Sequence, residues 1–234
     1  MANIKKKVLL FLVEGISDEI SFEGLWESFF ENNEVRVYVL HCDITTQDFS
    51  SPATILSKLK QPIDRFLNST KLKKDDIQKI VHLIDTDGAF VPESCVEQKS
   101  GDEQICYTDE KILTSNPDGI KQRNARKTAV VKRLFSTTQI YKGIPYEIYY
   151  LSRNLEHVLH NKAESLSDAE KKDLSNKFDE MYAGRLSDFL AFISSSDFAV
   201  KMDYRDSWNF IMESTNSLHR HSNIHLLFSD TTSQ

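Results

Sequence analysis

The chain has 234 residues, of which 40% are apolar, and its 29 Lys and Arg side chains against 35 Asp and Glu give a formal charge of −6. This length and composition predict a globular protein with its own core, and the acidic balance excludes a passive nucleic-acid coat, which binds through excess Lys and Arg. The longest apolar run, Val8–Val13, is far shorter than the ~20 residues that span a bilayer, and the three cysteines form no C-x-x-C pair, so we expect a cytoplasmic protein without a membrane span.

Short aliphatic runs alternate with amphipathic helical patterns along residues 1–160, which predicts βαβ units and an α/β fold with a mainly parallel sheet flanked by helices. Ser17 is the predicted N-cap of the first helix, and Ser51 followed by Pro52 predicts the start of the second. Pro62 is expected to kink this second helix. The predicted strands are Val8–Val13, Val35–His41, Ile80–Ile84 and Tyr146–Leu151.

A polar stretch with little periodicity follows at residues 88–119 and is predicted to be a long loop, which is usually a functional or mobile feature. The third helix is predicted at about Lys121–Phe135, and a fourth is predicted to begin near Ser152. We therefore expect a domain over residues 1–160 with an insertion at 88–120.

Residues 161–234 are predicted to form a mainly helical C-terminal extension. Ser167 and Glu170 have the spacing of a capping box, and Gly184 is a predicted helix end. Ile224–Phe228 is predicted to be a short closing strand. Another helical stripe of apolar residues is made by Leu186, Phe189, Leu190 and Ile193.

Acidic residues follow two of the predicted strands. Glu14 comes directly after the first strand and Asp18 opens the next helix, whereas Asp85 and Asp87 follow the third strand. Ligand sites of parallel sheets lie outside the carboxyl ends of the strands, so we expect these acids to converge. Carboxylates in one crevice repel one another unless a cation lies between them, which predicts a site for a divalent cation that prefers oxygen ligands, most often Mg²⁺. An isolated Asp-x-Asp-Gly is also ordinary turn chemistry, so the prediction depends on both groups together.

Residues 121–133 form a basic segment that contains no acid. A right-handed crossover begins this helix at the carboxyl edge of the sheet, so Arg123 and Lys127 are predicted to meet phosphate groups. Lys132 and Arg133 are predicted to face solvent. Arg153, just past the last predicted strand, is a comparable candidate for substrate binding.

Two motifs carry a resemblance to a known family: Val-Glu-Gly-Ile-Ser-Asp at residues 13–18 and Leu-Ile-Asp-Thr-Asp-Gly at residues 83–88. They resemble the signature motifs of the Toprim domain, which is shared by topoisomerases, primases, small RNases and the overcoming-lysogenization-defect (OLD) nucleases. The resemblance covers roughly residues 8–160 in the order of the elements, and it implies a Toprim-like, Rossmann-like fold.

The resemblance implies that Glu14, Asp85 and Asp87 bind Mg²⁺ or Mn²⁺ and support phosphodiester chemistry. The OLD branch adds an acid four residues after the glutamate, which is Asp18 here. It also has a serine and an acid beyond a later strand, and the stretch from Ser152 to Glu156 is similar to that pattern. Ser152 would then bind the substrate and Glu156 the metal ion.

The chain also departs from larger Toprim proteins. It leaves no room for the DNA-gate domains of topoisomerases or for the additional modules of primases, and it contains no G-x-x-x-x-G-K-[ST] phosphate loop. It is more similar to stand-alone Toprim-like proteins of bacterial anti-phage defence. That similarity implies a toxic nuclease acting on DNA, RNA or tRNA during abortive infection, with a separate ATPase partner chain and with the extension as a docking surface or dimer interface.

Two other interpretations remain open. The segment Asp85-Thr86-Asp87-Gly88 also resembles the nucleophile motif of haloacid dehalogenase-like phosphatases, although that motif belongs to the first strand of their fold and two βα units precede it here. The chain is alternatively a Toprim-like module that binds a partner without catalysis. The histidines near residue 220 do not have zinc-site spacing and are predicted to lie at the surface or in packing contacts.

Overall fold

A central parallel sheet organises the computed structural model, which describes residues 7–30, 35–42, 45, 50–101, 104–195 and 197–229. The strands are β1 (Lys7–Val13), β2 (Val35–His41), β3 (Ile77–Asp85), β4 (Val96–Gln98), β5 (Cys106–Tyr107), β6 (Ile112–Thr114) and β7 (Tyr146–Leu151). The helices are α1 (Ile16–Phe30), α2 (Ile55–Thr70), α3 (Pro117–Phe135), α4 (Leu155–His160), α5 (Asp168–Tyr182), α6 (Leu186–Ile193), α7 (Tyr204–Ile211) and α8 (Leu226–Ser229).

The central sheet has the strand order β2-β1-β3-β7, and all of its pairings are parallel. The predicted α/β class with a mainly parallel sheet between helices is therefore confirmed. Strands β1, β3 and β7 are neighbours, so their carboxyl ends lie side by side at one edge of the sheet. Most residues of these strands are buried, as expected of a sheet that is covered on both faces.

The stretch predicted as a long loop holds a second, small sheet, so that prediction was wrong. Strands β4, β6 and β5 pair in that order, the first two parallel and the last two antiparallel. Strands of two or three residues are too short to show a periodic pattern in the sequence. A separate small core holds this sheet together and includes Val91, Val96, Ile112, Ile120 and Leu218.

The first three helices begin at residues other than those predicted. Helix α1 includes Ser17, so this residue is not its N-cap. Helix α2 begins three residues after Pro52, because residues 52–54 form a turn. Helix α3 begins at Pro117 because the side chain of Asn116 accepts a hydrogen bond from the amide of Gly119, so the insertion ends earlier than residue 120.

The predicted fourth helix, α4, begins at Leu155 rather than near Ser152, because the side chain of Asn154 caps it. In the extension, the capping box of Ser167 and Glu170 is confirmed at the start of α5. The predicted strand at Ile224–Phe228 was wrong, because its last residues belong to the short helix α8.

The extension shares its core with the sheet. Phe178 of α5 and Phe189 of α6 pack against Phe22 of α1 on one face of the sheet, within the same buried cluster as β1 and β7. The outer edge of β7 is also covered, since the amide of Tyr150 donates to the side chain of Asn223 at 2.9 Å. Within the described ranges, no helix has the combination of length and apolarity that crossing a bilayer requires.

Candidate metal-binding site

The predicted acidic residues meet in one cavity at the carboxyl edge of the sheet. Glu14 follows β1, Asp85 ends β3, and Asp87 lies two residues farther along the chain. Asp18 and Glu156 come from the first turns of α1 and α4, the helices that follow β1 and β7. The cavity has a volume of about 240 Å³ and is lined by Glu14, Gly15, Ser17, Asp18, Asp85, Asp87, Leu155, Glu156 and Lys171.

Asp18 is almost completely buried, with 5% of its surface exposed. Its Oδ2 atom accepts a 2.8 Å hydrogen bond from the amide of Gly15, which fixes the turn between β1 and α1. Burial and the nearby carboxylates of Glu14 and Glu156 outweigh that hydrogen bond and raise the pKa of Asp18 to about 7. The nearest described charges around this carboxyl group are therefore predominantly negative.

Asp85 is in a similar environment. Burial, followed by the charges of Asp18, Glu14 and Asp87, raises the pKa of Asp85 well above its usual value, and Lys127 compensates only in part. The carboxylates of Asp85 and Glu156 make no hydrogen bond or ion pair with any residue that the structure describes, although Glu156 is only 4% exposed. Both side chains thus line the cavity with carboxylate oxygen atoms that have no described hydrogen-bond partner.

Lys127 of α3 lies among the acids, with 1% of its side chain exposed. Its Nζ atom donates to Asp87 and lies 3.3 Å from Oε2 of Glu14. Burial tends to lower the pKa of Lys127, but the charges of Asp87, Glu14 and Asp85 outweigh it and raise the pKa above its usual value. The ammonium group is therefore charged and bridges the end of β1 to the turn after β3.

The other predicted substrate-binding residues have different surroundings. Arg123 donates to the side-chain oxygen of Asn124 and, at 2.9 Å, to the hydroxyl of Tyr107, so its described partners are neutral. Arg153 is 3% exposed and donates to the carbonyl of Leu218 and to Asp109. Neither arginine lines the acidic cavity.

Ser152 is buried and its hydroxyl links two parts of the chain. It donates to the carbonyl of His219 and accepts from the amide of His221 at 2.7 Å. Its backbone amide donates to the carbonyl of His221 at 2.9 Å. These contacts join the end of β7 to the extension, and Ser152 does not line the cavity.

Sequence reasoning missed several residues around the site. Thr45, which is buried, donates to Oε1 of Glu14. Tyr107 of the small sheet holds Arg123, and Lys171 of α5 lines the acidic cavity. An isolated threonine, tyrosine or lysine carries no motif, so only the tertiary structure reveals these contacts.

No protein-family model, curated protein or solved structure matches this chain. The Toprim resemblance therefore rests on the sequence motifs and stays a prediction.

Five carboxylates line the cavity, and carboxylate oxygens are the ligands that a divalent cation such as Mg²⁺ prefers. Among the residues that the structure describes, no three His, Cys, Asp or Glu side chains stand close enough together to hold a metal ion as they are. Lys127, between Glu14 and Asp87, keeps two of the carboxylates engaged.

Proposed function

We propose that this chain is a metal-dependent nuclease that cleaves phosphodiester bonds in DNA or RNA. The observation that supports this most directly is the gathering of five carboxylates from three neighbouring strand ends into one cavity. Such a cluster is costly for a fold to maintain, since each acid disfavours the ionisation of the others. A bound Mg²⁺ or Mn²⁺ ion would offset this repulsion between the carboxylates.

Asp18, Asp85 and Glu156 are the residues with oxygen atoms available for the metal ion, and Glu14 and Asp87 complete the acidic lining. When bound, such an ion activates water and stabilises the negative charge that develops on a scissile phosphate. Glu14 and Asp87 would then belong to the reacting centre with Asp85, and Glu14 would accept a proton from water.

The substrate would be oriented by basic groups beside the acids. Arg123 suits this role best, because its described partners are the neutral side chains of Asn124 and Tyr107 and its charge is not cancelled by a carboxylate. Arg153 suits it less, since it is buried and paired with Asp109. A guanidinium can bind a phosphate through two parallel hydrogen bonds, which fixes the strand in one orientation.

The biological setting proposed here rests on the Toprim resemblance alone. The chain would act in the cytoplasm as the toxic effector of an anti-phage defence system. A separate ATPase chain is the proposed partner, because the sequence holds no phosphate loop of its own. A homo-oligomer formed through the extension would be a further part of such an assembly.

Cleavage assays test the proposal. The purified chain, alone and with a co-expressed ATPase, is incubated with DNA, RNA and tRNA in the presence of Mg²⁺, Mn²⁺ or a chelator. We expect metal-dependent cleavage, and we expect Asp85→Asn to reduce it at least roughly 100-fold, since even indirect partners of metal ligands contribute about 10–100-fold. Asp173→Asn, which removes an exposed carboxylate of α5, is the matched control. A folded chain that cleaves none of these substrates under any condition refutes the proposal.

A second candidate function, a module that binds a partner without catalysis, is favoured by one observation. Lys127 engages Glu14 and Asp87, as a structural ion pair would. If this function is correct, Glu14→Ala and Asp85→Ala leave the cellular activity unchanged, whereas the nuclease proposal requires its loss. A phosphatase of the haloacid dehalogenase class is tested separately by covalent trapping of Asp85 with a beryllium fluoride mimic of phosphate.

A further inference from the structure

A further cavity, the α3 cavity, lies between residues 90–96 and helix α3. Its volume is about 440 Å³, within the range of about 300–1,000 Å³ that is typical of small-ligand sites. Phe90, which lines it, ends the turn that begins at Asp87, and Asp87 lines the acidic cavity. A Cβ atom on Gly88 would lie 3.0 Å from the side chain of Asn124, another lining residue. The two cavities therefore border the same turn.

The lining of the α3 cavity combines apolar surface with positive charge. Lys121 and Lys132 of α3 line it, against one carboxylate, that of Glu93. Neither lysine makes an ion pair with a residue that the structure describes. A nucleotide joins an aromatic ring to an anionic phosphate, and this lining is complementary to both parts. The apolar lining residues are Phe90, Val91, Pro92, Val96, Ala125 and Ala129.

Phe90 has an unusual backbone conformation in this cavity. Its φ is 73°, in the left-handed region that bulky residues rarely adopt. Its amide donates a 2.9 Å hydrogen bond to the hydroxyl of Thr128 on α3, which fixes this conformation. The ring is only partly buried against the core, so the rest of it is open to a ligand. Strained residues of this kind are concentrated at ligand-binding and catalytic sites.

Asn124 gives an independent indication of a ligand. Its side chain lines the cavity and is 5% exposed. Its Oδ1 atom accepts hydrogen bonds from Arg123, whereas its Nδ2 atom has no acceptor among the residues that the structure describes. A buried amide donor without an acceptor is unfavourable, so such groups in native proteins usually have a partner. The edges of nucleobases carry acceptors that asparagine amides bind.

We propose that the α3 cavity binds a nucleobase of the substrate strand, next to the phosphate that reaches the acidic cavity. The base would stack on Phe90 and accept a hydrogen bond from Nδ2 of Asn124, and Lys121 and Lys132 would contact neighbouring phosphates. A base in a duplex is paired and stacked, so its extrusion would cost free energy. This inference rests on the proposed function, and it specifies the substrate class as single-stranded nucleic acid, which includes the unpaired loops of RNA.

The test compares how tightly the full chain binds three fluorescent oligonucleotides in the presence of a chelator, which prevents metal-dependent cleavage. The first is a single strand of mixed sequence, the second an abasic strand of the same length, and the third a blunt duplex of the same sequence. We expect the single strand to bind roughly 5- to 100-fold more tightly than the abasic strand, the range expected when one base stacks on an aromatic side chain. The duplex is expected to bind more weakly than the single strand.

A variant that fills the cavity locates the effect. Ala125→Leu adds a larger side chain at an exposed position of the lining and keeps a residue that favours helices. It should remove most of the preference for the strand with bases and leave the binding of the abasic strand unchanged. Ala191→Leu, an exposed change in α6, is the matched control and should keep the wild-type preference. If circular dichroism shows that Ala125→Leu does not fold, Ala129→Leu takes its place.

Each result decides the inference. It is overturned if the wild type binds the abasic strand or the duplex as tightly as the single strand, or if a folded Ala125→Leu keeps the full preference. Metal-dependent cleavage by a chain that shows no such preference leaves the proposed function intact. A chain that neither binds nor cleaves any nucleic acid overturns both. The comparison of strands with the wild type alone decides the inference even if neither variant folds.

Discussion

The backbone amide of Arg153 donates a 2.8 Å hydrogen bond to the hydroxyl of Thr86, which lies 67 residues earlier in the chain. The amide of Asp87 donates in return to the carbonyl of Arg153 at 2.9 Å. Both Asp87 and Arg153 have left-handed backbone conformations, with φ of 52° and 56°. The turns after β3 and β7 are thus joined directly, and together they carry Asp85, Asp87 and the start of the helix with Glu156.

Removing the hydroxyl of Thr86 should destabilise this junction. Thr86→Val keeps the shape of the side chain but leaves the buried amide of Arg153 without its acceptor, which costs about 1–3 kcal/mol. Urea unfolding followed by circular dichroism measures the free energy of unfolding. Thr70→Val, an exposed change at the end of α2, is the control and should alter it by less than about 0.5 kcal/mol. Equal effects of the two substitutions would show that the junction contributes little to stability.

Asp18 should make the stability depend on pH. Because burial raises the pKa of Asp18 to about 7 in the folded protein, the folded state binds this proton more tightly than the unfolded state does. The contribution of Asp18 to stability is therefore fully present below about pH 4 and decreases as the pH rises through 7. Asp18→Asn removes this dependence, so its stability relative to the wild type should increase by roughly 1–3 kcal/mol between pH 5 and pH 8 without metal.

The measurement is urea unfolding of both proteins at several pH values in the presence of a chelator. Asp173→Asn, which alters an exposed acid of α5, should show no such pH-dependent difference. A constant difference between Asp18→Asn and the wild type from pH 5 to pH 8 would contradict the raised pKa.

Gly88 is expected to tolerate no side chain. A Cβ atom there would lie 2.9 Å from Cδ1 of Ile112 and 3.0 Å from the side chain of Asn124, and its φ is 155°. Gly88→Ala should therefore cost more than the ~1–2 kcal/mol of backbone strain alone, with a further ~1–3 kcal/mol from overpacking. Gly143 also has a positive φ, but a Cβ atom at that position would have no neighbour within 4 Å. Gly143→Ala is thus the control for backbone strain alone. The two variants are compared by their melting temperatures in thermal unfolding, and an equal decrease in both would contradict the expected steric contact at Gly88.

Arg123 should contribute to nucleic-acid binding through one phosphate. On an Asp85→Asn background that prevents cleavage, Arg123→Gln should weaken the binding of a fluorescent single-stranded oligonucleotide. The slope of log K against log salt concentration should decrease in magnitude by roughly 0.7, the value for one phosphate contact of a single strand. Arg133→Gln, an exposed change near the end of α3, should leave the slope unchanged. An unchanged slope in Arg123→Gln would remove this arginine from the proposed interface.

Residues 1–160 should not fold when they are produced alone. The core that covers one face of β1 and β7 includes Phe178, Phe189 and Phe198 of the extension, and these would be lost. The amides of Ile148 and Tyr150 at the outer edge of β7 would also lose their acceptors, the hydroxyl of Tyr204 and the side-chain oxygen of Asn223. We expect a chain without a cooperative urea transition, and a cooperative transition would show that the first 160 residues are an independent domain.

The sequence was most informative where apolar runs are long. The aliphatic runs at β1 and β3 and the aromatic run at β7 predicted the strands because buried parallel strands are nearly continuous in hydrophobic residues. The meeting of Glu14 and Asp85 followed from topology, since parallel neighbours end at the same edge. Short elements had no comparable signal, which is why β5, with two residues, and α8, with four, were missed.

The role of Lys127 could not be read from the sequence. The helical position predicted only that this side chain lies near the acids, and a phosphate of the substrate and a carboxylate of the protein are equally good partners for an ammonium group. In the structure, Lys127 is buried and its ammonium group contacts the carboxylates of Glu14 and Asp87. The ion pair between Arg153 and Asp109 could not be predicted from the sequence either, because it depends on how the small sheet packs.

The covered edge of β7 also has a consequence for synthesis. Tyr150 and its hydrogen-bond acceptor Asn223 are 73 residues apart, so at ~5–20 residues per second the ribosome makes the second about 4–15 s after the first. Before Asn223 is made, the amide of Tyr150 lacks this acceptor, and before His219 and His221 are made, Ser152 lacks its contacts with them. A nascent chain therefore cannot form these contacts at the end of β7 until translation has passed residues 219–223.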